Sequence, residues 1–213
     1  MKIVIAGGSG FLGRPLTDHF ATRGFDVVVL TRRPRAVVLD PHIRDVEWSV
    51  SDAPDVGALG GWAREIDGAD AVINLAGAGI ADQRWTRDYK QQLRLSRVAS
   101  TRTLVAAVRV ATVRPKVFIQ GSAVGYYGTS DQQTFDESYP PGDDFLGQMC
   151  VAWEADAHAV SALGPRLIIA RSGIVLARDG GALKKMSQPF RLFAGGRLGS
   201  GRQPVSWIHR DDW

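Results

Sequence analysis

Cysteine is almost missing from this sequence. Cys150 is the single one among 213 residues, which excludes an internal disulfide and suits a reducing compartment. Histidine is scarce too, at four residues. Neither a cysteine–histidine cluster nor a paired-carboxylate pattern occurs, so no metal site is expected. No apolar run exceeds the length of a strand, and none approaches the ~20 residues of a membrane span. The first strand-like segment begins at Lys2, with no room before it for a cleaved leader. A cytoplasmic protein without membrane attachment is therefore expected. The net charge is only +4. Its arginines are scattered from Arg14 to Arg210 with no basic run or interleaved aromatic ladder, a pattern of solvated surface rather than of nucleic-acid binding.

What is present is an ordinary globular composition, 45% hydrophobic and 23% charged. A chain of this length can bury roughly 70% of its unfolded surface without staples. Strand-like and helix-like segments alternate. Residues 2–6 and 26–31 are continuous, β-branched apolar runs of the kind buried on both faces of a parallel sheet. Between them, Phe11, Leu12, Leu16 and Phe20 recur at helical spacing until Gly24. A short strand is expected at 46–48 and another at 71–75. A long helix follows at about 86–111, apolar at Leu93, Leu95, Val98, Leu104, Val105 and Val108. A fifth strand is expected at 116–120, a loop at 121–144, a helix capped by Asp143-Asp144 at 145–163, and a sixth strand at 166–170. This succession predicts an α/β fold of Rossmann type: a doubly wound parallel sheet with helices on both faces. Glycine-rich residues 173–213 read differently. They end in Ser206-Trp207-Ile208-His209-Arg210-Asp211-Asp212, a segment that reads as the approach to a helix whose body is absent.

The first strand runs into Gly7-Gly8-Ser9-Gly10-Phe11-Leu12-Gly13, and a helix opens there. Glycines three apart at such a turn have distinct duties: the first permits the tight bend, the second lets backbone N–H groups approach a diphosphate, and the third lets helix and sheet pack closely. The helix N-terminus adds unpaired donors and partial positive charge. This is the layout of a dinucleotide site. An NAD site places an acid at the end of the second strand, about 20 residues past the glycines, to hold the ribose hydroxyls. Thr31-Arg32-Arg33 occupies that place instead. A guanidinium there attracts an adenosine 2′-phosphate that an acid would repel, so NADP(H) is the expected cofactor.

Further motifs carry a resemblance. Asn74–Gly77 (NLAG), Arg84-Trp85, the GSAVGYYG run at 121–128, Trp153-Glu154, RSGIVL at 171–176, GGALKKM at 180–186, PFRLFAGGRLGSGRQ at 189–203 and SWIHRDD at 206–212 accompany the glycine turn. Together they resemble the epimerase-like atypical branch of the extended short-chain dehydrogenases/reductases, the NAD-dependent epimerase/dehydratase family. The resemblance implies a nucleotide-binding domain over residues 1–172. It also implies the start of a small substrate lobe at 173–213, which similar proteins continue for a further stretch, so the lobe is expected to be incomplete. By the same resemblance, cofactor contacts fall to Thr31, Arg32, Leu75, Ala76, Gly77, Gln92, Arg97 and Ile174. Extended members commonly carry asparagine where Arg97 stands. A homodimer through the two long helices is an expectation by fold analogy.

The superfamily's usual proton-transfer pair, a tyrosine with a lysine four residues on, is absent. Tyr89, Tyr126, Tyr127 and Tyr139 are followed at that spacing by Leu93, Ser130, Asp131 and Asp143. Alignment on Trp153-Glu154 puts Leu146 and Cys150 in the pair's places, and Cys150 reads as a buried helical residue. Ser122, Tyr126 and Tyr127 remain as catalytic candidates, each with packing as the alternative, while a tethering role suits His209 better. Two functions stay open: an NADP(H)-dependent oxidoreductase or epimerase acting on a small molecule, and a non-catalytic NADP(H)-binding regulator or redox sensor, a class that resemblance links to cell division.

Overall fold

The computed structural model describes residues 1–197 and 199–213, and the backbone alone at Ala58. Strand β1 (Lys2–Ala6) leads into helix α1 (Gly13–Ala21) and strand β2 (Asp26–Thr31). Strands β3 (Ile43–Glu47) and β4 (Ala71–Asn74) follow, then helix α2 (Arg87–Val110), strand β5 (Val117–Ala123), helix α3 (Phe145–Ala157) and strand β6 (Arg166–Ser172). The six strands form one sheet in the order β3-β2-β1-β4-β5-β6. The pairings of β1 with β2 and β4, of β2 with β3 and of β4 with β5 are parallel. This is the Rossmann order, with its reversal between β1 and β4.

The unbroken apolar strands are explained by burial on both faces. Val4 and Ala6 pack with Leu30, Trp48, Trp62, Leu104, Val108 and Phe118 on one side. Ile3 and Ile5 pack with Val27, Val29, Ile73 and Ala21 on the other. Helix α2 starts where Thr86 accepts the backbone N–H of Tyr89 on its hydroxyl at 3.2 Å, an N-cap. Of its expected apolar positions all but Leu95 turn inward or pack at the core's margin; Leu95 is exposed. The helix expected at 145–163 is α-helical only to Ala157 and continues as a tighter 3₁₀ segment, His158–Leu163, that ends at Gly164 with φ 112°. Asp144 caps α3 as expected, accepting the N–H of Gly147 at 2.8 Å.

By packing, the chain divides into two compact units: residues 1–121 with 152–170, and residues 122–151 with 171–213. The second contains strand β7 (Ile174–Ala177), helix α4 (Gly181–Arg191) and strand β8 (Trp207–His209). β7 and β8 pair in parallel, Ile174 opposite Trp207. Within the segment read as a helix approach, residues 207–209 are a strand. A turn follows in which the His209 carbonyl accepts N–H bonds from Asp212 and Trp213. Two further contacts secure the segment. The Trp213 indole donates to the Ser172 hydroxyl at 2.7 Å, and Arg210 pairs with Asp179 at 2.7 Å. No helix among the described residues is long and apolar enough to cross a membrane.

Candidate nucleotide site and tyrosine cluster

The glycine turn lies at the carboxyl end of β1, beside the point where strand order reverses, the usual ligand position in open α/β sheets. Gly7 has φ +81°, a conformation that side chains other than glycine's rarely adopt. A Cβ there would press to 2.9 Å on the Leu75 backbone. At Gly13 it would come within 2.2 Å of the Gly7 carbonyl oxygen and 2.5 Å of the Gly8 Cα, so the helix abuts the turn with no space between. Gly10 differs. A Cβ would meet only the Gly7 carbonyl oxygen, at 3.2 Å, and the residue is exposed. The turn is closed by the Gly10 N–H on the Gly7 carbonyl at 3.0 Å. No side chain caps α1, and its first turn holds no acid. A cradle of open backbone at an uncapped helix N-terminus, with no acid in the helix's first turn, fits a dinucleotide diphosphate.

Thr31 ends β2 buried, and its hydroxyl lies 3.4 Å from that of Ser9 in the glycine turn. It also accepts the N–H of Arg33 at 3.3 Å. Arg32 and Arg33 are exposed. Arg35 grips Asp45 of β3, and this pairing holds the Asp45 carboxyl below the usual carboxylate range against the opposing effect of burial.

At the neighbouring strand end, three fully buried polar side chains form a lock. Asn74 donates to Thr101 at 3.1 Å and to Gln120 at 3.0 Å, and Thr101 donates to Gln120 at 3.2 Å. The Asn74 carbonyl accepts the N–H of Ala76 at 3.2 Å, which shapes the Leu75–Gly77 exit from β4. From α2, Ser96 accepts the N–H of Ala78 at 3.0 Å and Ser100 donates to the Ala76 carbonyl at 3.3 Å. Arg97, between them, lies against Gly77, whose Cβ would meet the arginine Cγ at 3.1 Å. Its guanidinium stands 4.9 Å over the Trp153 ring and donates to the Leu93 carbonyl at 3.0 Å. Gln92 is exposed and lines an open cleft with Ser51, Asp52, Gln91, Leu95 and Ser96. Asn74 was legible through its motif; Thr101, Gln120, Ser96 and Ser100 were not. Their only signal is polarity at core-facing positions.

In the second unit, Ser122 is the penultimate residue of β5, where the sequence reading placed it just past the strand. It is buried. Tyr126 and Tyr127 sit on a 3₁₀ turn, Val124–Tyr127. Arg171, quoted in a motif but given no role from sequence, organises them. Its guanidinium carbon is 3.5 Å from the Tyr126 ring centroid, and its Nη1 donates to the Tyr127 hydroxyl oxygen at 2.8 Å. Tyr127 stacks on Phe135 at 5.5 Å, and Tyr139 meets Phe135 edge-on at 5.3 Å. Leu146 and Cys150 share one face of α3. Leu146 lies near Gly125, and the buried Cys150 thiol is 3.9 Å from the Ala123 carbonyl. Ile174 opens β7, half exposed, and donates its N–H to the Ser206 carbonyl at 2.8 Å. Among the described residues no group of histidine, cysteine and carboxylate side chains could hold a metal ion.

Strand order and glycine turn define the class: a Rossmann-type, NAD(P)-binding α/β protein. Residues 3–212 match the NAD dependent epimerase/dehydratase family, and the chain belongs to it. An epimerase family protein of Staphylococcus saprophyticus is 39% identical over 98% of this chain and 67% of its own length. A chloroplastic homolog of epimerase family protein SDR39U1 from Arabidopsis thaliana is 37% identical over the whole chain and 60% of its own length. Among solved structures, human epimerase family protein SDR39U1 with NADPH superposes with a TM-score of 0.80 at 33% identity, covering all of this chain and 67% of that one. The nucleoside-diphosphate sugar epimerase of Corynebacterium glutamicum gives 0.77 at 32% identity, over all of this chain and 41% of that one. The chain thus spans about two thirds or less of the length of these relatives.

Proposed function

We propose that the chain binds NADP(H) in preference to NAD(H) and serves an oxidoreductase or epimerase reaction on a carbonyl or sugar-like small molecule. One observation carries the cofactor half: an acid-free glycine turn stands beside a second strand that ends at Thr31 and is followed by Arg32-Arg33 rather than by an acid. The NADPH of the human relative's structure supports the same choice. In this reading the backbone of Gly7, Ser9, Gly10, Phe11, Leu12 and Gly13 holds the diphosphate. Arg32 and Thr31 take the 2′-phosphate, and Leu75, Ala76, Gly77, Gln92, Arg97 and Ile174 complete the cofactor contacts. Residues 1–172 are the nucleotide domain, and 173–213 begin the substrate lobe. When bound, the cofactor supplies hydride transfer. Titration calorimetry tests the choice of nucleotide. NADPH binds more tightly than NADH, and Arg32→Glu removes that preference; tighter NADH binding by the wild type overturns the reading.

With Leu146 and Cys150 in place of the usual pair, the proton must be handled elsewhere. Tyr127 is the group we assign, because Arg171 already donates to its oxygen and so holds the hydroxyl in a fixed place. Ser122 and Tyr126 are its supporting candidates. NADPH oxidation against a panel of carbonyl compounds tests this half, and Tyr127→Phe or Ser122→Ala abolishes turnover. The loss of the pair itself favours the second reading, a non-catalytic NADP(H)-binding regulator. Tight NADPH binding with no turnover on any panel member would select that reading.

A further inference from the structure

Burying a carboxylate at the margin of a sheet is costly unless it is fully paired. Asp45 stands on β3 opposite Val29 of β2, its side chain only 2% exposed. One residue satisfies both its oxygens. Arg35 donates its backbone N–H at 2.9 Å and its Nε at 2.8 Å to Oδ2, and its Nη2 at 2.6 Å to Oδ1. Because a main-chain donor takes part, this grip fixes the backbone at Arg35 as well as its side chain. Four residues earlier the Thr31 hydroxyl fixes the other end, through the Arg33 N–H and the Ser9 hydroxyl. Pro34 lies between, its φ locked by the ring. The short segment 32–34 is therefore held at both ends. Arg32 and Arg33 project from it into solvent, and neither side chain makes a hydrogen bond or ion pair among the described residues.

We propose that Asp45 is a positioning residue for nucleotide choice. By holding Arg35 it fixes segment 32–34, so that Arg32 and Arg33 stand ready for an adenosine 2′-phosphate. This rests on the NADP(H) reading above. Ordering the segment in advance removes an entropic cost from binding. A merely structural pair would matter equally for both nucleotides, whereas a positioning pair matters for NADPH alone.

Calorimetry on the full chain with NADPH and NADH separates these outcomes. Asp45→Asn and Arg35→Gln are expected to weaken NADPH about tenfold while leaving NADH within about twofold, and Arg35→Lys recovers part of the loss because it restores charge but not the fork. Equal weakening of both nucleotides, or of neither, overturns the proposal. A wild type without preference for NADPH overturns the cofactor reading and this one with it. A wild-type preference that both variants keep overturns this one alone. Hydrogen exchange on the unaltered chain gives a second measure that does not depend on any variant folding. The Arg35 amide is expected to exchange slowly before nucleotide is added; an amide that becomes protected only with NADPH overturns the claim that the segment is held in advance.

Discussion

At Gly13 a methyl group has nowhere to go, since its nearest neighbours are backbone atoms of Gly7 and Gly8. Gly13→Ala must push the helix off the turn, so loss of measurable NADPH binding is expected in calorimetry together with a fall in stability of a few kcal/mol. Paired carboxylates give a second prediction at this scale. Arg35 lowers the Asp45 pKa, and Arg44 chiefly, with Lys2, lowers that of Glu65. A carboxylate whose folded pKa is depressed stabilises the fold above its unfolded value, about 4, and loses that contribution as pH falls through the folded value. Thermal melts of wild type and Asp45→Asn should therefore differ by a constant amount above about pH 5 and converge only as pH falls from about 4 through the depressed folded value. The glycine turn was legible because residue type alone carries its message. Arg171, Thr101 and Gln120 were not, since their roles come from partners tens of residues away that no local pattern records.

Among the elements, the Asn74–Thr101–Gln120 lock joins β4, α2 and β5 through side chains with no access to water. Asn74→Ala leaves Gln120 short of a donor and Ala76 short of an acceptor, and should cost about 2–3 kcal/mol in urea denaturation. Thr86→Ala removes the α2 cap and should cost about 1 kcal/mol. The bounds of β2, and of α2 with its flanking caps, were readable because each combines a long periodic run with clear punctuation. Three-residue β8 was not. A segment that short shows no period, and its strand state is conferred by β7, which is about thirty residues distant. Asn74 and Leu95 show the two sides of this lesson. A polar residue inside and an apolar one outside both defeat periodicity, and the first of them shapes the β4 exit.

For the whole molecule, nucleotide and stability should be linked. NADPH at a hundredfold over its Kd should stabilise the fold by about 2.7 kcal/mol, read as a rise in Tm, with a smaller rise for NADH at the same concentration. Light scattering should give the mass of two chains if α2 and α3 mediate a homodimer. The order of assembly follows from the pairing of Ile174 with Trp207. As a nascent chain leaves the ribosome, β7 emerges with no strand beside it until α4 and the glycine-rich stretch have followed. Closing that span carries an entropic toll before the β7–β8 ladder forms. Meanwhile β7 offers a bare edge to any passing strand, so misassembly during refolding should begin there rather than in the sheet built on β1.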